Sequence, residues 1–260
     1  MTYATIQCVK EPPVGLLTLD RPAKYNAISV EMMHDIIRAL EAWDTDPEVA
    51  GVILTGSDRF FSTGADLHEA LERGGLADMH TYLQNWRALN RRIETCGKPV
   101  IAAINGYCLT GGLELALTCD LRVAAENAQF GITSSKIGTV AGAGGTQRLP
   151  RLIGVARAKE LLFSGDFIDA QEAYRIGLIN RLVPVGQAVQ TARDLIAIYA
   201  QRAPLSLRFN KQVVNTGINL DLESALDLEN TITAAIYQTE DRREGIQAFL
   251  DKRPARFRGK

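Results

Sequence analysis

Val100-Ile101-Ala102-Ala103-Ile104-Asn105-Gly106 runs into Tyr107-Cys108-Leu109-Thr110-Gly111-Gly112-Leu113-Glu114-Leu115-Ala116, and most of the architecture can be read outward from here. The unbroken apolar run after Pro99 is a strand of the buried type. The segment from Leu113 to Thr118 reads as a helix. Between them, Gly111 and Gly112 let the backbone approach a ligand closely where that helix opens. Helix-start N–H groups lack internal partners and carry the positive end of the dipole. Glu114 sits in the first helical turn among apolar neighbours. By itself it is either a dipole-stabilised surface carboxylate or a general base facing a cleft.

A second glycine turn, Phe60-Phe61-Ser62-Thr63-Gly64-Ala65-Asp66-Leu67, also follows an apolar strand. Taken alone, each turn reads as an ordinary strand-to-helix connection. Taken together, one N–H from each would form an oxyanion hole.

Strands and helices alternate on both sides of these turns. Val14-Gly15-Leu16-Leu17-Thr18-Leu19 is a short strand ended by Asp20-Arg21-Pro22. Ser29 caps a helix with apolar residues at Met33, Ile36, Ile37, Leu40 and Trp43, stopped before Pro47. Residues 49–54 are the next strand, 78–94 the next helix and 121–125 a further strand. This β-then-α cadence returns roughly every 45–50 residues, which predicts stacked ββα units, an α/β fold. Composition shifts at Gln201-Arg202-Ala203-Pro204. Beyond it strands vanish, and residues 205–217, 222–237 and 240–250 read as helices. We therefore expect a core over 1–200 that carries the site and a helical module over 201–260, too small to bury much alone.

The 260 residues suit one large domain or a domain with an appendage. With 46% hydrophobic and 23% charged residues, and 29 cations against 30 anions, the chain is neither a general nucleic-acid binder nor an acidic solvating protein. No apolar run spans a bilayer and the first residues lack a secretory pattern, so the cytoplasm is expected. Cys8, Cys96, Cys108 and Cys119 form no Cys-x-x-Cys pair and are expected as reduced thiols. His34, His68 and His80 show no ligand spacing, so no metal is expected. Gly142-Ala143-Gly144-Gly145-Thr146-Gln147 fails as a dinucleotide fingerprint because Gln147 takes the third glycine position. Neither a Walker pattern nor a Gly-x-Ser-x-Gly elbow occurs.

Thr63-Gly64-Ala65-Asp66-Leu67, followed by the 100–116 stretch, resembles the enoyl-CoA hydratase/isomerase (crotonase) superfamily. Supporting matches are Asp20-Arg21-Pro22-Ala23-Lys24-Tyr25-Asn26-Ala27, Gly142-Ala143-Gly144-Gly145-Thr146-Gln147-Arg148-Leu149 and Phe249-Leu250-Asp251-Lys252-Arg253. The likeness runs in order along nearly the whole chain. It implies a crotonase-like spiral of ββα units, with C-terminal helices that build a trimer or a hexamer of paired trimers. The N–H groups of Ala65 and Gly111 would hold the thioester oxygen of an acyl-CoA, and Glu114 would do acid–base work. Lys24, Tyr25, Ala27, Ala65, Asp66 and Leu67 would border the coenzyme A groove. Coenzyme A then arrives as part of the substrate, with no separate cofactor.

One position departs from the pattern. The second hydratase glutamate falls on Ser134, and no carboxylate lies between Glu126 and Glu160. Serine can hold a water but is not an effective proton donor near neutral pH. The resemblance implies hydration of an enoyl-CoA first, beside double-bond isomerisation and carbon–carbon or thioester cleavage. Outside that class stands a non-catalytic scaffold that binds CoA esters, or RNA through the five cations of residues 252–260.

Overall fold

A computed structural model describes residues 2–260. Strands β1 (Ile6–Glu11) and β2 (Val14–Leu19) form an antiparallel hairpin. Helix α1 (Val30–Thr45) follows a 3-10 turn at Pro22–Lys24. Ser29 Oγ accepts the Met32 N–H at 3.1 Å, the cap its sequence position predicts, and Met33, Ile36, Leu40 and Trp43 are buried.

The repeat then becomes plain. Strands β3 (Gly51–Thr55) and β4 (Phe60–Ser62) lead to α2 (Leu67–Leu71) and α3 (Leu76–Glu94). Strands β5 (Val100–Ile104) and β6 (Tyr107–Leu109) lead to α4 (Gly111–Ala116). Strands β7 (Leu121–Ala125) and β8 (Gln129–Gly131) lead through a 3-10 turn at Ser134–Ile137 to α5 (Gly145–Ile153) and α6 (Val155–Ser164). The last stretch with strands is β9 (Ile168–Asp169), α7 (Ala170–Arg175), β10 (Arg181–Val183) and α8 (Ala188–Tyr199).

In each of the three central repeats the first strand joins a six-stranded sheet, ordered β1-β2-β3-β5-β7-β10. The second joins a four-stranded sheet, ordered β4-β6-β8-β9. Strands β2-β3-β5-β7-β10 pair in parallel, as do β4-β6-β8. The chain is thus the expected spiral of ββα units. Turns of successive repeats stack on one another, and that stacking brings the two glycine turns side by side.

The larger core packs Leu54, Val100, Ala102 and Ile104 against α1, α3 and α4. On the opposite face, Ile53, Ile101, Ala103 and Val123 pack under Ala188, Ala192 and Ile196 of α8. Burial of both sheet faces explains why β5 is apolar without alternation.

Some elements escape a reading of sequence. Strand β1 and helix α8 were not expected, nor were the two- and three-residue strands of the small sheet, which are too short to carry a period. Helix α4 begins at Gly111, two residues before the expected start. Two glycines open it because a Cβ on Gly112 would lie 2.5 Å from the Ser62 carbonyl oxygen.

Beyond residue 200 only helices occur among the described residues: α9 (Pro204–Gly217), α10 (Leu222–Ile236) and α11 (Glu240–Leu250). Lys211 Nζ ties α9 to Asp120 Oδ2 at 2.9 Å and to two backbone carbonyls. Neither α9 nor α10 buries a single residue. The cationic terminus folds back on α11, where Arg253 pairs with Glu244 and Asp241 receives the N–H groups of Arg258 and Gly259. Among the described residues no helix is long and apolar enough to cross a membrane.

Candidate active site

The turn after β4 and the turn after β6 meet. A Cβ on Gly64 would stand 3.2 Å from Gly111 N, and one on Gly111 would stand 3.0 Å from Ala65 N. Gly64 adopts φ +116, a conformation that side chains rarely take. Neither the Ala65 nor the Gly111 N–H donates to an acceptor among the described residues. Two abutting, unpartnered backbone donors are what a developing oxyanion needs.

Glu114 projects from α4 into the protein and is 3% exposed, so the surface alternative is excluded. Its Oε1 accepts the Ala143 N–H at 2.8 Å and the Gly145 N–H at 2.7 Å. Its Oε2 accepts no hydrogen bond among the described residues. One oxygen therefore fixes the carboxylate while the other stays free for chemistry. Burial raises the carboxyl above its ordinary range, and the two N–H groups and Arg148 only partly offset this.

Ala143 is held in turn. Its carbonyl accepts Asn90 Nδ2 at 2.6 Å and Arg148 Nη1 at 3.2 Å, and Arg148 Nε pairs with Glu94 at 2.6 Å. Residues 142–148 thus form the cradle of the site carboxylate. Sequence reasoning found this segment as a motif but not in this role, because its contacts with Glu114 span about thirty residues.

Ser134 is buried at the start of the 3-10 turn after β8. Its segment reaches Glu114's surroundings: a Cβ on Gly145 would touch Ile132 Cδ1 at 3.0 Å and Glu114 Cγ at 3.1 Å. Ser134 Oγ makes no hydrogen bond among the described residues.

The expected coenzyme A border also comes together. Asn26 Nδ2 donates to the Phe60 and Phe61 carbonyls, and Thr63 N–H donates to the Tyr25 carbonyl. Lys24, Tyr25 and Leu67 are exposed and Ala27 is half-buried, beside the Ala65 turn. The Asp66 carboxylate is already engaged: it pairs with Arg21 at 2.9 Å and caps α2 through His68 N–H. Burial opposes its ionisation, yet these partners hold it below the usual carboxylate range. The Asp66 N–H is engaged too, donating to the Ile28 carbonyl at 3.0 Å.

The four cysteines are free thiols. Burial pushes Cys119 up to about 12 and Cys108 well above the usual thiol range, which disfavours the thiolate at both. A groove of about 1510 Å³ between α3, α5 and α9 does not include Ala65, Gly111, Glu114 or Ser134.

A ββα spiral that sets two unpartnered N–H groups against each other, with a half-tethered buried carboxylate in the helix one of them opens, fits a class of enzyme that stabilises an enolate oxyanion and moves protons. The chain belongs to the enoyl-CoA hydratase/isomerase family, whose model matches residues 10–260, and it is an enzyme acting on acyl-CoA thioesters. It is 40% identical to 2,3-dehydroadipyl-CoA hydratase of Escherichia coli, over 96% of this chain and 97% of that one. It is 38% identical to crotonyl-CoA hydratase of Syntrophomonas wolfei, over 99% of both. A crystal structure of enoyl-CoA hydratase from Bacillus anthracis superposes with TM-score 0.93 at 37% identity, covering 99% of this chain and 100% of that one.

Proposed function

We propose that this enzyme adds water reversibly across the double bond of a 2-enoyl-CoA, with Glu114 as its one protein carboxylate. The observation that carries this is the buried carboxylate of Glu114, tethered through Oε1 alone, in the first turn of the helix that opens at Gly111, whose N–H abuts that of Ala65. The two N–H groups donate to the thioester oxygen. Glu114 takes a proton from water as the water oxygen bonds to Cβ, and the double-bond electrons move through Cα onto the thioester oxygen. The enolate collapses as Glu114 returns that proton to Cα, so the product gains the elements of one water. One oxyanion donor is worth about 10²–10³ in rate.

Ser134 holds the water in place, without supplying a proton of its own. Lys24 lies over the coenzyme A phosphates, and coenzyme A serves as carrier rather than as a resident cofactor. The reduced thiols support a cytoplasmic setting. Helices α9 and α10 and the residues that cap their C-termini expose Val214, Ile218, Leu222 and Tyr237, a surface that supports assembly as a trimer or a pair of trimers.

The test is loss of enoyl absorbance on incubation with crotonyl-CoA and longer 2-enoyl-CoA esters; no change with any chain length refutes hydration. A second activity, double-bond isomerisation, is favoured by Ser134, because moving a proton between two carbons needs only one carboxylate. Conversion of a 3-enoyl-CoA into the 2-enoyl isomer measures it.

A further inference from the structure

Thr110, the residue immediately before the oxyanion donor Gly111, has φ 46 and ψ −115. Left-handed backbone at a β-branched residue is strained, and it persists only where the surroundings over-determine it. Thr110 is gripped from every side. Its N–H donates to the Gly131 carbonyl at 2.7 Å, and its carbonyl accepts the Glu114 N–H at 2.8 Å. Its Oγ1 accepts the Thr133 N–H at 3.2 Å and shares a hydrogen bond with Thr133 Oγ1 at 2.8 Å. The Thr110 Cβ also lies against Gly64, where an added Cβ would stand 3.2 Å away.

These contacts join three parts of the site. Thr110 fixes the peptide plane that carries the Gly111 N–H, because that plane is formed by the Thr110 carbonyl and Gly111 nitrogen. Thr133 immediately precedes Ser134, and Glu114 hangs from the Thr110 carbonyl through its own N–H. We infer that Thr110 and Thr133 are a positioning pair: their hydroxyl bond holds the strained turn that aims the Gly111 N–H at the substrate's thioester oxygen. Neither side chain touches the reacting atoms. This rests on the oxyanion hole proposed above and adds the device that sets its geometry.

The test uses binding as well as turnover. Butyryl-CoA, which has no double bond to hydrate, is bound to the full-length enzyme, and the thioester C=O stretch is read by difference infrared spectroscopy. A well-aimed donor lowers that frequency on binding. Thr133→Val is expected to lose most of this lowering and about tenfold in kcat for crotonyl-CoA, as a small misplacement of a reacting group does. KM and the butyryl-CoA Kd should change less than about twofold, because the coenzyme A contacts are elsewhere. Thr133→Ser, which keeps the hydroxyl, should restore both readouts. Thr110→Gly adopts φ 46 without strain and guards against misfolding. It should keep the melting temperature and still lose the carbonyl shift.

A Thr133→Val enzyme with unchanged shift and kcat overturns the inference, as does equal loss in Thr133→Ser. So does a Thr110→Gly enzyme that matches the wild type. A wild type that shifts the carbonyl in this hydroxyl-dependent way, yet hydrates no enoyl-CoA, refutes hydration and upholds the positioning pair. A wild type that shifts no carbonyl refutes both the oxyanion hole and the pair.

Discussion

Gly145 donates its N–H to Glu114 Oε1 at 2.7 Å, and its own α-carbon stands so near that an added Cβ would meet Glu114 Cγ at 3.1 Å. The residue that holds the carboxylate must therefore be small. The same Cβ would meet Ile132 Cδ1 at 3.0 Å and Ala141 Cβ at 3.1 Å, so relief on one side costs space on another. Gly145→Ala should fold but turn over enoyl-CoA about tenfold or more slowly through misplacement of Glu114. Steady-state kinetics beside a melting curve checks this, and an unchanged kcat would refute the cradle role.

Glu114→Gln keeps an oxygen for the Ala143 and Gly145 N–H groups but removes the base. We expect kcat to fall by about 10²–10⁴ with little change in acyl-CoA affinity. Burial raises the Glu114 carboxyl, so the folded state binds its proton more tightly than the unfolded state does. That contribution to stability is full below the unfolded pKa and is lost as pH rises through it to the raised folded value. The Gln variant should accordingly match or exceed wild-type stability at neutral pH, with the difference shrinking on acidification. Urea melts at pH 4.5 and 7.5 decide it.

Ser134→Glu should raise crotonyl-CoA hydration by about tenfold, by supplying the second proton carrier. The comparison is kcat for both forms across pH 6–9. A wild type already at typical enzyme rates and unimproved by the substitution would show that serine merely fills a turn.

Arg122 is buried, and its Nε donates to the Leu178 carbonyl at 2.8 Å while Nη1 reaches the Cys119 carbonyl at 3.0 Å. It closes the C-terminal end of the segment that carries Glu114. Arg122→Leu would strand these carbonyls and should cost about 3 kcal/mol, read from the shift in urea midpoint.

Helices α9 and α10 are amphipathic but bury no residue within the chain. Light scattering at micromolar concentration should give a trimer or hexamer. A particle of about 28 kDa, the mass of one chain, would refute this.

Local chemistry was legible from residue types. Strand β7 and helix α11 fall on the residues the pattern predicts, and Ser29 caps α1 as a serine before an apolar stripe should. The glycines at 64, 111 and 112 announced tight turns, and Glu114 announced a carboxylate at a helix start, because each signal lies within a few neighbouring residues. Ser134 was equally visible as an uncharged residue where a second glutamate would stand.

What the sequence left open is set by contacts between distant segments. Whether Glu114 faces water or a cleft depends on Ala143 and Gly145, which return to it only after β7, β8 and a turn have been wound. The pairing of the Ala65 and Gly111 N–H groups depends on β4 lying beside β6, and three-residue strands carry no period that reveals such a neighbour. Thr110 reads as an ordinary residue until the fold places Thr133 against it and holds its backbone left-handed. Propensity and periodicity encode the local conformation of each segment, whereas orientation across the spiral arises only when buried strands and helices stack and fix one another.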